Sequence, residues 1–365
     1  MQRCALRGIV SDWPRSTPNS EEWSTLECLT SSAPTPARQC IGAVAQEITI
    51  TIFAVARAET LKSFMHLPWK RGPAKLRARV VTVTFHTHSR SLASVQRVPV
   101  AKFIARGGLE VLAIDDVDAF GVDAFVTTRE GGVSQAPYDS LNLGLHVGDV
   151  DDSVIKNREV VASALGVDLD AMVFCNQTHG TRSAVVDSTH AGRGARFSEH
   201  ALIGTDALIT TTPGVPLVIM VADCCPILFV DPVAHVLGVA HAGWRGTADK
   251  VATETILAMR DVGAQVKNIK VVIGPSINQD RYEVGTEVVE AVVRSVSGDL
   301  GDALLMRDES AYIDIALVNA QQLLELGVES ENLSILPWRT DDPRFYSDRE
   351  ARPTGRFALV AQILP

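Results

Sequence analysis

Aromatic residues make up only 5% of this 365-residue chain, and no apolar stretch is long enough to cross a bilayer. The longest apolar run near the N-terminus, Ile41 to Ala56, is broken by Gln46 and Glu47. A membrane helix needs about 20 largely apolar residues, so no membrane partner is expected. The polar residues 1–40 precede that run, so no secretory signal is expected either. Six cysteines, three of them Cys4, Cys28 and Cys40, are too few and too scattered for a disulfide framework. A reducing, cytoplasmic setting is expected, in which a special Cys is a ligand or a nucleophile. Also missing are a Walker A loop, a G-x-G-x-x-G after a strand, a G-x-S-x-G elbow and the deaminase H-x-E with P-C-x-x-C. What is abundant is ordinary core: 46% hydrophobic residues exclude a largely disordered or collagen-like chain.

The formal charge of −9 hides a split. Residues 1–109 carry 15 Lys+Arg and 6 Asp+Glu (net +9), and residues 110–365 carry 19 and 37 (net −18). The acidic part would repel a phosphate backbone or an anionic membrane surface, which argues against nucleic acid as a partner. A small anion is still within reach, because a few placed cations reverse the local field. Residues 1–40 are rich in Ser, Thr, Pro and Arg without helical or strand period, and β-prone bursts follow at Ile48–Val55 and Val80–Phe85. A transit peptide, a disordered basic arm and an over-extended translation start compete here. We expect the last, with the functional start at Met65 or later. His86-Thr87-His88 is read as chance polar spacing.

From residue 110 onward, short apolar runs alternate with amphipathic stretches. Strands are expected at Asp123–Thr128, Met172–Cys175, Ala184–Val186, Asp206–Thr210, Pro216–Ala222, Pro226–Val230 and Val236–Ala240, then Ile269–Ile273, Leu333–Leu336 and Phe357–Ile363. Helices are expected from Asp152 to Leu165 before Gly166, from Thr247 to about Asp261, over Gly285–Val296, and from Asp314 to Leu326 before Gly327. Strands both alternate with helices and follow one another directly. The fold class is therefore α/β (α+β), with mixed β-sheets flanked by helices in a single compact domain over 110–365.

Three ligand-type side chains stand at strand ends beside turns: His179 in Asn-Gln-Thr-His-Gly, Cys224 in Ala-Asp-Cys-Cys-Pro, and His241 in Ala-His-Ala-Gly-Trp-Arg-Gly. Two imidazoles and a thiolate suit zinc, and three protein ligands leave a fourth position open, the catalytic arrangement. Copper also accepts such a set. Any one of these alone is more simply a satisfied polar or core residue; the three contexts together are harder to dismiss. If Cys224 faces one side of its strand, Cys225 faces the other and packs. Arg245, between Gly243 and Gly246 before an expected helix start, and Arg129, before Gly131-Gly132, suit an anion. A surface ion pair is the plainer account of each.

These motifs make the acidic domain recognisable. It resembles the bacterial YfiH/YlmD family, known as laccase-domain or polyphenol oxidase proteins and as purine nucleoside phosphorylases, to which the mammalian protein FAMIN is related. The resemblance rests on Thr127-Thr-Arg-Glu-Gly-Gly-Val-Ser134, Asn142-Leu-Gly-Leu-His-Val-Gly-Asp149, Asn157-Arg158, Gln177-Thr-His-Gly180, Asp206-Ala-Leu-Ile-Thr210, Ala222-Asp-Cys224, His241-Ala-Gly-Trp-Arg-Gly-Thr247, Ile273-Gly-Pro-Ser-Ile277, Tyr282-Glu-Val-Gly285 and Thr354-Gly-Arg356. They stand in family order across residues 110–365, and nothing before 110 takes part. The resemblance implies a YfiH-like fold and a zinc site of His179, Cys224 and His241. It also implies phosphorolysis of adenosine, inosine, guanosine or 5′-methylthioadenosine to free base and ribose 1-phosphate, with adenosine deamination as a companion activity. On that footing Cys224, His241, His179 and Arg245 would be catalytic. Arg129 and Arg245 would bind phosphate, Asn142 and His146 would contact ribose or base, and Asp206 and Asp223 would orient the ligand imidazoles.

One stretch departs from the family pattern. Where Cys-Thr and then Ser-Tyr-Arg or Ser-His-Arg are usual, this chain has Trp338-Arg339-Thr340 and Ser347-Asp348-Arg349. No catalytic role is assigned there, and a different substrate preference is expected. Three other functions compete. A copper polyphenol oxidase would need many histidines, and residues 110–365 offer His146, His179, His190, His200, His235 and His241. A metal-free hydrolase would use Cys224 as nucleophile and His241 as base. A noncatalytic partner-binding protein would need neither.

Overall fold

The computed structural model describes residues 46–53, 80–87 and 100–365, and the chain divides into two compact units between Ser89 and Arg90. In the first, β1 (Gln46–Phe53) and β2 (Val80–Thr87) pair antiparallel, with Gln46 opposite Thr87 and Phe53 opposite Val80. They coincide closely with the two β-prone bursts. The expectations for residues 1–45, 54–79 and 88–99, His88 included, fall outside the described residues.

The second unit opens with β3 (Ala101–Arg106), β4 (Leu109–Ile114), β5 (Val122–Thr127) and α1 (Asp151–Leu165). It continues through β6 (Val173–Phe174), β7 (Ser183–Val185), β8 (Ala207–Thr210), β9 (Leu217–Val221), β10 (Cys225–Asp231) and β11 (Val236–Ala242). Next come α2 (Trp244–Ala248), α3 (Val251–Asp261), β12 (Lys270–Ile273), β13 (Glu283–Val284) and α4 (Thr286–Arg294). The last elements are β14 (Leu304–Arg307), β15 (Ser310–Ile313), α5 (Ile315–Leu326), β16 (Leu333–Ile335) and β17 (Phe357–Ile363).

Two six-stranded sheets result, in the orders β16-β12-β10-β11-β8-β7 and β3-β4-β5-β17-β9-β6, with a small β13-β15-β14 sheet beside them. Both large sheets are mixed: β12–β16, β7–β8 and β6–β9 are parallel pairs, and their neighbours pair antiparallel. Alternation along the strands builds the layers. On β10, Ile227 and Phe229 join a core with Ile256 and Met259 of α3 and Leu323 of α5. Leu228 and Val230 face a second core shared with Ile219 and Leu359 of the other sheet. A third core packs Val161 and Leu165 of α1 on Phe125, Val218 and Val360. The order is helix, sheet, sheet, helix. Central strands covered on both faces read as unbroken apolar runs, and β10, β11 and β17 are buried throughout. Among the described residues no helix is long and apolar enough to cross a membrane.

Two local expectations change. The boundary at 109/110 cuts the β3–β4 hairpin, which turns through Gly107 and Gly108, both at positive φ. The basic residues that placed β3 with the N-terminal segment are neutralised inside the second unit, Lys102 by Asp115 and Arg106 by Asp123. The helix expected from Thr247 starts earlier and is interrupted: Lys250 takes φ 65° between α2 and α3. Contacts from α5 hold α2 at its own angle, because Asn319 and Gln322 donate to the Thr247 hydroxyl and carbonyl at 2.9 and 2.8 Å. α5 itself is capped as expected, by the Asp314 carboxylate at its start and Gly327 (φ 109°) at its end.

Candidate metal centre

Two crossings of the chain between the large sheets bring the ligand residues together. β6 belongs to one sheet and β7 to the other, and the loop between them carries His179. β9 and β10 make the same transfer, and their turn carries Cys224; His241 stands on β11, the neighbour of β10. The ligand atoms of the three side chains lie within 4.8 Å of one another. His179 and Asp223, which precedes Cys224, hold left-handed φ values of 61° and 83°. Such values cost non-glycine residues about 1–2 kcal/mol and persist only where neighbours enforce them.

For His179 the enforcing neighbour is Asp206. Its wholly buried carboxylate accepts the backbone N–H groups of Thr178, His179 and Gly180 at 3.1, 2.9 and 2.8 Å. The same carboxylate lies 2.9 Å from Nδ1 of His241. With an ionised carboxylate as acceptor, the ring proton belongs on Nδ1, which leaves the Nε2 lone pair for a ligand. Burial alone would raise the Asp206 carboxyl; hydrogen bonds from His241, Gly180 and Thr178 outweigh it and hold the group below the usual carboxylate range. Burial and the adjacent His241 push His179 down, towards the neutral, ligating form. Burial pushes the Cys224 thiol up, which makes it a poor free nucleophile and leaves its deprotonation to a bound cation.

The backbone leaves room for this cluster at one point. A Cβ on Gly243 would stand 2.7 Å from Cδ2 of His179 and 2.9 Å from Sγ of Cys224. The donor set, its oriented imidazole and this cleared space fit a single metal ion. Cys225 packs with the core beneath α3, on the opposite side of the strand from Cys224, and is fully buried.

The cluster opens on a cavity of about 770 Å³, within the range of small-molecule sites. His146 and Arg245 line it, as do Phe174 and Met220 on an apolar stretch of wall. Burial, Arg356 and Arg158 push His146 down to about 4, so its ring is uncharged at neutral pH. The Arg245 guanidinium lies over the Trp244 ring at 4.3 Å and is exposed. Within the wall itself, the buried Arg158 donates to the carbonyl oxygens of Leu143, Gly194 and Ala195 and lies 4.1 Å over Phe174. Burial pushes it down only to about 9, so it stays a cation.

Two expected contacts lie elsewhere. Arg129 donates to Asp139 and lies over Tyr346, and it does not line the cavity. Asn142 is buried, and its Oδ1 accepts the backbone N–H groups of Gly144 and Arg356, each at 2.9 Å. It acts on the cavity indirectly, by fixing Arg356 and the Gly144 backbone that leads to Leu145 and His146. Asp223 does not orient an imidazole; it accepts the Thr340 hydroxyl at 2.5 Å and the Arg349 backbone N–H at 2.7 Å. Among the cavity residues not expected from the sequence are Arg349, Arg352, Arg356, Tyr282 and Asp348. Arg356 and Tyr282 sat inside motifs already singled out, which was a usable signal. Arg349 and Asp348 stood in the divergent Ser347-Asp348-Arg349 stretch, to which no role was assigned, and Arg352 lay outside every motif.

The multi-copper polyphenol oxidoreductase laccase family matches residues 123–364. The purine nucleoside phosphorylase YlmD of Bacillus subtilis (strain 168) is 40% identical over 241 residues, covering 64% of this chain and 86% of that one. Adenosine deaminase RL5, from an unknown prokaryotic organism, is 40% identical over 215 residues, covering 58% and 82%. In three dimensions the Bacillus licheniformis hypothetical protein YfiH superposes with a TM-score of 0.68 at 35% identity, over 72% of this chain and 98% of that one. The layered sheets, the His/Cys/His cluster at their crossings and these matches make the chain a member of the YfiH/YlmD family of laccase-like domain proteins.

Proposed function

We propose that this chain is a zinc-dependent purine nucleoside phosphorylase with a companion adenosine deaminase activity. The observation that carries the reading is a juxtaposition: a His/Cys/His ligand set opens on the same cavity as Arg245, Arg349 and Arg356. The names of the relatives support it, one a purine nucleoside phosphorylase and one an adenosine deaminase. His179, Cys224 and His241 would hold the metal, which when bound supplies a Lewis acid that polarises oxygen and eases deprotonation of water.

The rest is the work of the chain's own residues. Arg245 and Arg356 bind phosphate and stabilise negative charge as a phosphate oxygen attacks C1′ and the C1′–N9 bond breaks. The base departs with the bonding electron pair, gains a proton and leaves ribose 1-phosphate. Phe174 and Met220 give the purine an apolar wall, and the uncharged His146 offers a hydrogen bond to ribose or base without opposing the phosphate. Adenosine, inosine, guanosine and 5′-methylthioadenosine make up the proposed substrate class, in a cytoplasmic setting that keeps the thiols reduced.

Among the described residues, only His146 joins the cluster histidines in the cavity wall, too few for the many ligands a multicopper oxidase needs. His190 joins Asp187 in a turn, His200 lies against Phe197, and His235 stands between β10 and β11. The test is incubation of the purified chain with inosine or adenosine, with and without phosphate, while following free base and ribose 1-phosphate. Phosphate-dependent release of base is expected; none with any purine nucleoside would overturn the proposal.

A further inference from the structure

Asp348 puts a negative charge into the arginine wall. Its Oδ1 accepts from Nη2 of Arg356 at 3.2 Å, and its Oδ2 accepts from Nε of Arg352 at 2.7 Å. The two cations are held very differently. Arg356 is only 20% exposed, and its Nη1 donates to the carbonyl oxygens of Thr354 and Gly355 while its backbone N–H is tied to Asn142. Arg352 is 76% exposed, and it donates to the backbone carbonyl and the carboxylate of Asp348. A largely buried, multiply anchored guanidinium and an exposed one thus share one carboxylate at the cavity edge. Asp223, another cavity carboxylate, accepts instead from the Thr340 hydroxyl and the Arg349 backbone N–H, one on each oxygen.

We propose that Asp348 is an internal competitor for the oxyanion, occupying Arg356 and drawing Arg352 back, so that it sets the anion concentration at which the cavity fills. The inference rests on the cavity being an anion site, as the proposed function requires. Carboxylate and phosphate are alternative partners for the same guanidinium fork, and the same N–H groups cannot serve both. The two anions also repel at this range. After allowance for screening at a carboxylate 27% exposed, the competition corresponds to about a tenfold change in anion affinity. Asp348 is a specificity-setting residue in this account: it fixes how much phosphate the site demands and takes no part in bond breaking.

Free phosphate and the 5′-phosphate of a nucleotide present the same oxyanion, so both are used as probes. The metal-loaded full chain, Asp348→Asn and Arg352→Gln are titrated calorimetrically with inorganic phosphate alone and with adenosine 5′-monophosphate, at low and high ionic strength. Asp348→Asn is expected to tighten phosphate about tenfold, with the gain shrinking in salt. Arg352→Gln, which leaves the whole carboxylate to Arg356, is expected to weaken it about threefold. Tightening confined to the nucleotide would also support the competition and identify the nucleotide as the source of the anion. Unchanged or weaker binding of both probes by Asp348→Asn would overturn the inference and make Asp348 a support for Arg356. Should that variant fail to fold, the exposed Arg352→Gln change carries the test alone, and unaltered phosphate affinity there overturns it. Binding is read without turnover, so a chain that binds phosphate yet releases no base would defeat the proposed function and leave this result standing.

Discussion

Replacing Gly243 with alanine tests whether three side chains share one ion. The backbone there has φ −79° and ψ 174°, open to any residue, so the substitution adds no conformational strain. Its whole effect comes from space. The new methyl would sit 2.7 Å from Cδ2 of His179 and 2.9 Å from Sγ of Cys224, where carbon contacts settle at about 3.5–4.0 Å. One ligand must therefore retreat by roughly 1 Å, several times the ~0.2 Å tolerance of a metal–ligand distance. Disturbances of that kind cost about 10–100-fold in metal affinity, or roughly 1.4–2.8 kcal/mol. The assay is competition against graded chelator, with bound metal quantified by mass spectrometry and the metal-free proteins compared by thermal unfolding. The alanine variant should lose metal at lower chelator concentrations while its metal-free form melts close to wild type. Wild-type affinity in the variant would refute the shared-ion geometry.

Other residues give independent checks. Asp206→Asn replaces an acceptor by a donor facing the Thr178–Gly180 amides and His241; it should cost about 3 kcal/mol in denaturant unfolding and weaken metal retention. Arg158→Lys cannot reproduce the fan of donors to Leu143, Gly194 and Ala195, and a loss of about 2–3 kcal/mol is expected. His146 stays neutral in the fold down to about 4 but protonates in the unfolded chain near 6.5. Stability should therefore fall as pH drops through that window, and His146→Gln should flatten the slope. A chain beginning at Leu109 lacks Phe103, whose ring meets Trp338 edge-on at 5.3 Å and lies under Arg344. It should lose about 3–5 kcal/mol relative to a chain beginning at Arg90, as read by melting curves.

The His/Cys/His cluster was legible because each of its residues sits in a short motif in or just beyond an apolar strand. Cys224 and Cys225 do face different cores, although Cys224 stands in the turn before β10 rather than on the strand. Asp206 was visible as a carboxylate beside the ligands; its parallel, Asp223, was not separable from it, since only the fold shows that Thr340 and Arg349 claim both its oxygens. Arg129 and Asn142 stood in strong motifs yet serve the loops, because a motif records constraint without saying whether backbone or ligand imposes it. Arg349 and Arg352 come from an irregular segment with no period to read. The break between α2 and α3 is tertiary in origin: Asn319 and Gln322, some seventy residues away, bind Thr247. The β3–β4 hairpin escaped because charge counts do not see the ion pairs that cancel them.

The central claim is that one metal ion held by His179, Cys224 and His241 is required for phosphate-dependent cleavage of purine nucleosides. The most direct measurement follows metal content and ribose 1-phosphate formation from inosine in the same samples, before chelation, after it and after return of zinc, for wild type and Cys224→Ala. The account predicts that activity tracks bound zinc at one ion per chain and is restored by it in wild type, with neither metal nor activity in the variant. Full phosphorolysis by the metal-free wild type, or by Cys224→Ala, would contradict it.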